Sequence, residues 1–334
     1  MISSQPRRVA VGHRRRTLGI AGGAGCRPAP RSPVGRVRHA AYTRDQMQSA
    51  SAADWPAIEQ ARRRRRPRVP LHFAPQTEPV GSVAGEHLGA LRRWPDLFQV
   101  DTDAVRLRAV DGLDARLAEV HATLRAEGLV RAWRDEAFTL RHPRTHAPLA
   151  VIERAAARFW GALTLGAHAN GYVADTHGRP LWLWVAQRSP HKATDPGLHD
   201  NLVGGGVPHG QTPWQALVRE GWEEAGLDAA TMAAARRGRV IAVDRDIAEG
   251  LQVEQVHVWD LPLPPTLTPR NQDGEVAAVL RLPVADAIAL AAGGTMTVDA
   301  ALVTLDFALR HGLLDGATHD RLAARAAALW VAEP

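Results

Sequence analysis

The sequence contains little cysteine and little lysine. Cys26 is the one cysteine among 334 residues, so no internal disulfide can form, and we expect a reducing compartment such as the cytoplasm. Lys192 is the one lysine, beside 40 arginines. No apolar run approaches the roughly 18–20 residues that a membrane helix needs, so we expect no membrane partner.

Positive charge is confined to the N-terminal segment. Residues 1–68 hold 16 arginines and 3 acidic residues, whereas the rest of the chain has 25 basic and 32 acidic residues. The remainder therefore has no basic surplus, and we expect no nucleic-acid partner. We interpret the run Arg62–Arg66 as a solvated segment, with contact to RNA or anionic lipid as the alternative.

The first 46 residues are rich in Arg, Gly, Pro and Ala and show no apolar periodicity, a composition typical of disorder. These residues and the basic run that follows them are predicted to form one disordered basic segment, residues 1–68. Met47 offers an alternative translation start, and we favour that interpretation of the residues before it.

Apolar periodicity predicts a small α/β domain over residues 69–160. Leu71 and Phe73 alternate as in a strand. Leu113, Leu117, Val120 and Leu124 lie at helical spacing, and Gly128 follows them as a natural helix stop. The N-terminal part of the fold is therefore expected to combine a strand-rich layer with one main helix.

A second domain is predicted over residues 161–316. Residues 170–189 read as a β-hairpin that turns at His177–Gly178. Further strand-like runs bracket a central helix, with more helices behind, and this favours a layered α/β/α sandwich. Residues 317–334 are predicted to form a C-terminal helix.

The central helix lies in "GGGVPHGQTPWQALVREGWEEAGL", residues 204–227. Thr212 is a good N-cap, Pro213 suits the first helical position and Gln215 completes a capping box. Gly226 is placed to end the helix. The local signals alone therefore define both helix ends.

Three glutamates share one face of this helix, since Glu223 and Glu224 lie three and four residues after Glu220. We expect this acidic face to point away from the core. The opposite face is expected to be buried and carries Trp214, Val218, Gly221, Trp222 and Ala225.

A divalent metal ion would offset the repulsion among the glutamates. Mg²⁺ prefers carboxylate oxygens and keeps water and substrate phosphates as its other ligands. Backbone rich in glycine, here Gly204–Gly206, can approach phosphate oxygens closely. Arg219 can brace Glu223 one turn on. The stretch therefore suits a metal-bound diphosphate, with the alternative of a solvated acidic face beside a flexible loop.

The order of these residues resembles the Nudix box, G-x5-E-x7-R-E-U-x-E-E-x-G-U, where U is aliphatic. Gly205 takes the first position, and the following positions match: Arg219, Glu220, Glu223, Glu224, Gly226 and Leu227. Gln211 stands where the box has Glu, which puts an outer carboxylate in doubt. Gly221 replaces an aliphatic residue, which should remove a core contact and cost the helix about 1 kcal/mol.

The resemblance extends over roughly residues 69–314, through "LVRAWRDEAFTL", "IERAAARFWG", "HANGYV" and "NQDGEVAAV". These stretches are similar to the Nudix subfamily related to the N-terminal part of fungal thiamine pyrophosphokinases. The resemblance implies a Nudix α/β/α sandwich behind a small N-terminal α/β domain. It further implies hydrolysis of oxo- or oxythiamine diphosphate to the monophosphate.

The same resemblance implies that Glu220, Glu223 and Glu224 hold Mg²⁺ or Mn²⁺. Glu275, in a loop outside the box, is the candidate for a further ligand or base, and Arg219 is counted with the catalytic residues. Lys192 and Arg188 are candidate phosphate contacts, because a lone lysine among arginines suggests a need for a compact ammonium group.

Other functions stay open from sequence. One alternative is a Nudix pyrophosphatase acting on a nucleotide sugar such as ADP-ribose. Another is a ligand-sensing Nudix domain without turnover, which would be expected to lack box carboxylates. Isopentenyl diphosphate isomerase needs a catalytic cysteine, and Cys26 lies in the segment predicted to be disordered. The oligomeric state is not determined by these patterns.

Overall fold

A computed structural model describes residues 55–192 and 194–332. The prediction of disorder over residues 1–54 therefore lies outside the described residues. Within the described part, no helix has the length and apolarity needed to cross a membrane.

The N-terminal half contains short helices and small sheets, as its periodicity predicts. Its elements are α1 Ala57–Gln60, β1 Arg68–Phe73, β2 Pro79–Ala84, a 3₁₀ turn Gly85–His87, α2 Leu88–Leu91, β3 Phe98–Val100, β4 Val105–Leu107, α3 Leu113–Ala126, β5 Ala137–Arg141, β6 Pro148–Glu153 and α4 Arg154–Phe159. The first four strands form a sheet in the order β2-β1-β4-β3, and β5 pairs with β6.

One apolar cluster holds this half together. The α3 helix buries Leu117, Val120 and Leu124 at helical spacing, and strand β1 buries Leu71 and Phe73. All five belong to the same core cluster, which does not extend into the second half. The strands and the main helix of this region therefore share one apolar core.

The second half is built on a larger sheet. Its elements are β7 Leu163–Ala174, β8 Pro180–Arg188, β9 His199–Asn201, β10 Val203–Gly206, α5 Pro213–Ala225, α6 Ala229–Met232, β11 Arg236–Ile247, β12 Gly250–Pro262, β13 Val276–Pro283, α7 Val284–Ala292, α8 Val298–Arg310, α9 Gly316–Ala326, a 3₁₀ turn Ala327–Leu329 and β14 Trp330–Val331.

This sheet is mixed, with the strand order β13-β8-β7-β12-β11-β14. Strands β7 and β12 are parallel, while β7 and β8 form the predicted antiparallel hairpin around Gly178, whose φ is +81°. The short strand β10 pairs with β7 and β9 pairs with β8. The glycine-rich stretch is therefore part of the sheet.

Helices cover both faces of the sheet, which confirms the α/β/α sandwich. Leu183 and Val185 of β8 point into a core cluster shared with α7 and α8. Trp184, between them, points into the opposite cluster, shared with α5. This alternation follows from the two-residue period of a strand.

The chain ends differ from the predicted boundaries. Trp55 is fully buried and its Nε1 donates a hydrogen bond to the Ala301 carbonyl at 3.0 Å. Residues 55–68, assigned to the disordered segment from their charge, therefore begin the folded part. The predicted C-terminal helix stops at Ala326, and Trp330–Val331 then pairs with β11. Apolar burial holds both ends, through Trp55 at the start and Leu329 at the end, and at the N-terminal end the basic composition concealed it.

Candidate active site

The acidic helix α5 begins and ends where its sequence predicts. Thr212 accepts a hydrogen bond from the Gln215 backbone, and the Gln215 side chain accepts one from the Thr212 backbone. Gly226 closes the helix in the left-handed conformation. Helix α5 lies directly after β10, so its caps fix the glutamates relative to the glycines.

The buried face of α5 differs from the prediction. Trp222 is 56 % exposed and Trp214 is 37 % exposed, whereas Glu224 is only 6 % exposed. The helix turns Leu217 and Glu224 inward, so that the acidic face is partly buried against β10. Strand β10 consists of one valine followed by three glycines, and the missing side chains leave room for a carboxylate.

The three glycines form a strand where a flexible loop was predicted. A Cβ added at Gly204 would lie 2.7 Å from the His168 ring, and one at Gly206 would lie 2.6 Å from the Phe138 ring. A Cβ at Gly205 would collide with the Glu220 carboxylate. Each glycine is thus required because a neighbouring side chain fills the space beside the backbone.

Glu224 is anchored on this strand. Its Oε2 accepts a hydrogen bond from the Gly204 N–H at 2.8 Å. Burial raises the pKa of the Glu224 carboxyl well above its ordinary value, and the charge of Glu220 raises it further. The nearest cation is Lys192, whose Nζ lies 4.0 Å from Glu224 Oε1. Lys192 therefore offsets only part of the rise in the Glu224 pKa.

Arg219 forms ion pairs with the other two glutamates. It pairs with Glu220 at 2.8 Å and with Glu223 at 2.6 Å. Burial raises the pKa of Glu220, and Arg219 offsets part of that shift. Glu223 is the most exposed of the three, with 37 % of its side chain accessible. Arg219 thus holds two of the predicted metal ligands in place.

Lys192 and Glu275 meet beside Glu224. The Lys192 ammonium forms an ion pair with Glu275, which lies in the loop before β13. Burial raises the pKa of Glu275, but the hydrogen bond and charge of Lys192 outweigh burial and lower it overall. Residues 192, 224 and 275 are far apart in sequence, so the structure brings together three of the predicted site residues.

The Arg188 side chain forms its hydrogen bonds with residues of the segment that follows it. Its guanidinium pairs with Asp200 at 2.9 Å and donates to the carbonyls of Thr194 and Asp195. Asp200 also accepts from the Asn201 N–H. Arg188 lines the cavity described below, but its donors already have partners, so its main contacts are structural.

The two departures from the box have different consequences. A Cβ at Gly221 would lie 2.7 Å from the Met232 sulfur, so Met232 of α6 fills the space that an aliphatic residue would occupy. The expected loss of a core contact is therefore wrong. Gln211 lies in the loop before α5, and its Oε1 is enclosed without a hydrogen-bond partner among the described residues.

A cavity of about 520 Å³ opens against the glycine strand. Gly204–Gly206 line it, while Glu220 and Glu224 contact the same glycines from α5. Its wall from the N-terminal half contains four arginines that were not predicted: Arg131, Arg134, Arg154 and Arg158. In a chain with 40 arginines, no sequence signal sets these four apart.

Polar side chains of the second half form the opposite wall. Gln252 donates to Glu254 at 3.1 Å and to Asp299 at 2.9 Å, and Arg158 pairs with Glu254 at 2.8 Å. His168 hydrogen-bonds Asn201 at 2.9 Å beneath Gly204. The sequence predicted no site role for Gln252, Glu254 and His168, which lie on strands whose periodicity indicates only burial, or for Asp299, which lies in helix α8.

The acidic helix fits a divalent cation in charge and in donor type. The side chains of Glu220 and Glu224, whose pKa values are raised, both contact the glycine strand. Carboxylate oxygens are the donors that Mg²⁺ and Mn²⁺ prefer. Among the described residues, no three His, Cys, Asp or Glu side chains are already gathered as a metal-binding group. Arg219 and Lys192 occupy part of the carboxylate oxygens instead.

The sandwich and its acidic helix define a hydrolase of the Nudix class, and comparisons with known proteins agree. A family model for the NUDIX domain matches residues 164–299, and one for a domain of unknown function, DUF4743, matches residues 57–164. Nudix hydrolase 20, chloroplastic, of Arabidopsis thaliana is 33 % identical over 270 residues, covering 73 % of this chain and 68 % of that protein.

Nudix hydrolase 24, chloroplastic, of the same plant is 36 % identical with the same coverage. The crystal structure of DR0079 from Deinococcus radiodurans aligns with a TM-score of 0.39 and 24 % identity, covering 51 % of this chain and 97 % of that one. The chain belongs to the Nudix hydrolase family and is a diphosphate hydrolase.

Proposed function

We propose that the chain hydrolyses the phosphoanhydride bond of a small organic diphosphate, with a divalent ion held by Glu220, Glu223 and Glu224. The observation that carries this proposal is the anchoring of Glu224 on Gly204, beside a cavity lined by the same glycine strand. A cavity of this size is within the range that small-molecule ligands occupy.

Glu220, Glu223 and Glu224 would hold Mg²⁺ or Mn²⁺, which when bound would supply positive charge to the diphosphate and acidify a water. The chain's own residues position the reaction. Arg219 orients Glu220 and Glu223, and the Gly204 N–H orients Glu224. Lys192 lies between Glu224 and Glu275, where it can contact a phosphate oxygen, and Glu275 is the candidate proton acceptor.

The finer proposal is that the substrate is oxothiamine or oxythiamine diphosphate. The support is the resemblance to the thiamine-related Nudix subfamily, together with the polar wall of the cavity. Gln252, Glu254 and Asp299 present amide and carboxyl groups that can pair with the polar edge of a nitrogen heterocycle. A site that hydrogen-bonds such an edge can reject close analogues strongly, because its own polar groups would be left unpaired.

A competition experiment tests both levels of the proposal. The protein is first stripped of metal with a chelator and then supplied with Mg²⁺ or Mn²⁺. It is then offered four substrates together at equal, sub-saturating concentrations: oxothiamine diphosphate, oxythiamine diphosphate, thiamine diphosphate and ADP-ribose. We expect ion-dependent formation of monophosphates, with the highest kcat/KM for the two damaged thiamine forms and slower cleavage of thiamine diphosphate.

The outcomes separate the alternatives. A clear preference for ADP-ribose would refute the thiamine substrate and leave diphosphate hydrolysis standing. Absence of turnover with every substrate and both ions would contradict hydrolysis. If these ligands still raised the melting temperature, the result would favour a ligand-sensing domain.

A further inference from the structure

We propose that the N-terminal domain supplies the anion-binding wall of the active site, with Arg134 as a direct contact to the substrate's phosphate. This inference rests on the proposed function, since it assigns part of the same substrate site. It gives a role to the domain of unknown function that matches residues 57–164.

Charge is segregated across the cavity. The residues that the N-terminal half contributes are four arginines and two alanines, with no acidic side chain. The second half contributes six carboxylates against two arginines. A diphosphate would therefore be attracted to the N-terminal wall and repelled from the opposite one.

Three of the six cavity arginines form an ion pair with a described carboxylate, and one of the three is Arg188, which pairs with Asp200 at 2.9 Å. Arg158 pairs with Glu254 at 2.8 Å, and Arg154 pairs with Glu136 at 2.7 Å. The other three form no ion pair with a described carboxylate: Arg131 is exposed, Arg245 donates to Gln252 on the opposite wall, and the Arg134 guanidinium donates to the neutral hydroxyl of Thr194 at 3.1 Å. The guanidinium is partly buried, and burial lowers its pKa, with the nearby charge of Arg154 lowering it further.

The charges of Glu275 and Glu136 offset part of this lowering of the Arg134 pKa, but neither carboxylate forms an ion pair with Arg134. A partly buried cation without a paired carboxylate is costly, and an anionic ligand would reduce that cost. A guanidinium is also planar and forked, which suits two oxygens of one phosphate. The partner of Arg134, Thr194, lies two residues from Lys192, so Arg134 reaches the loop that carries the lysine beside Glu224.

Arg154 brings the same wall to the glycine strand. Its guanidinium carbon lies 3.5 Å from the position that a Cβ on Gly206 would take, and it stacks over the Phe138 ring at 5.3 Å. Arg154 thus lies against the glycine strand, and Arg134 is near enough to Arg154 for the two charges to interact. We assign Arg134 the phosphate contact and Arg154 the support of the strand.

The test measures binding of imidodiphosphate, a diphosphate that resists hydrolysis, by calorimetry with and without Mg²⁺. Arg134→Met should weaken binding about 10–100-fold, the loss expected for one or two charge-assisted hydrogen bonds. Arg134→Lys should fall between Arg134→Met and wild type, because it keeps the charge and loses the fork. Arg108→Met, an exposed arginine of the same domain outside the cavity, should bind like wild type.

Circular dichroism and the melting temperature establish that each variant is folded, and Arg134→Lys serves if Arg134→Met does not fold. Equal binding by wild type and the Arg134 variants would overturn the inference, as would no binding by wild type. If imidodiphosphate binding depends on Arg134 but no diphosphate is hydrolysed, the anion wall stands and the proposed function fails. With an active enzyme, Arg134→Met should raise KM for the diphosphate more than it lowers kcat.

Discussion

At the scale of single residues, the site depends on how closely carboxylates approach the backbone of β10. Glu224 and Glu220 both contact glycines of this strand, and burial raises the pKa of both carboxyl groups. Holding two such groups near each other without a cation is unfavourable. This local cost is the physical basis for expecting a metal ion here.

Glu224→Gln should lower kcat about 10²-fold or more, since a metal ion's charge stabilisation is worth several kcal/mol. The fold should survive, because the glutamine oxygen can still accept the Gly204 N–H. Steady-state kinetics at saturating Mg²⁺ give the measurement, with the exposed Glu119→Gln as control. Near-normal turnover would contradict the assignment of Glu224.

Glu224→Gln should lower activity but stabilise the fold when no metal is bound. The folded-state pKa of Glu224 lies above the ordinary value of 4.5, so this group destabilises the metal-free fold increasingly as pH rises past that value. At neutral pH and without metal, Glu224→Gln should therefore melt at a higher temperature than wild type. A lower melting temperature would show that Lys192 already neutralises Glu224.

Gly205→Ala tests the close approach of Glu220. The added methyl group would collide with the Glu220 carboxylate, and overpacking of this kind costs about 1–3 kcal/mol. We expect lower stability together with weaker Mg²⁺ activation, measured by urea unfolding and by metal titration of activity. Gly89→Ala is the matched control, since no atom lies within 4 Å of its added Cβ.

At the scale of elements, α3 is joined to the segment that leads into the sandwich through a buried histidine. His121 is fully buried, and its Nε2 accepts a hydrogen bond from Trp160 Nε1 at 2.8 Å. Burial lowers the pKa of His121 to about 3. The helix is therefore held by a histidine that must stay neutral.

Acidification should weaken this helix contact. A histidine whose folded pKa is depressed contributes stability above the unfolded value of 6.5, and that stability is lost as pH falls toward 3. Between neutral pH and about pH 5, the loss assigned to His121 is about 2 kcal/mol. Urea unfolding at the two pH values should show a smaller loss for His121→Gln, and equal losses would contradict the assignment.

At the scale of the whole molecule, the chain crosses between its two cores more than once. Helix α1 precedes the N-terminal domain in sequence, yet Trp55 belongs to the core cluster of α8. Arg158 of the N-terminal half also pairs with Glu254 of β12 at 2.8 Å. The two halves are therefore expected to unfold together.

Trp55→Ala should destabilise the protein by about 3–5 kcal/mol, the range for removing a fully buried tryptophan. Calorimetry should show one transition for wild type and one, shifted downward, for the variant. Trp222→Ala, at an exposed position of α5, should change stability by less than about 0.5 kcal/mol. Two resolved transitions, with only one of them shifted, would contradict the coupling of the halves.

The sequence by itself determined helix α5 and its order of glutamates. The caps at Thr212 and Gly226 depend on hydrogen bonds between residues a few positions apart, and the shared face of the glutamates depends on helical period alone. The longer strands of the sandwich were equally readable, because their apolar runs alternate or lie between turn residues. These features need no knowledge of distant residues.

Only the tertiary structure decided how the site is assembled. The depth of Glu224, the conversion of the glycine stretch into a strand and the burial of Trp55 depend on which side chains pack beside each backbone segment. Arg134 and Lys192 are 58 residues apart and reach the same loop. Neither composition nor period carries that information, because packing and unpaired charge are properties of residues that are distant in sequence and neighbours in space.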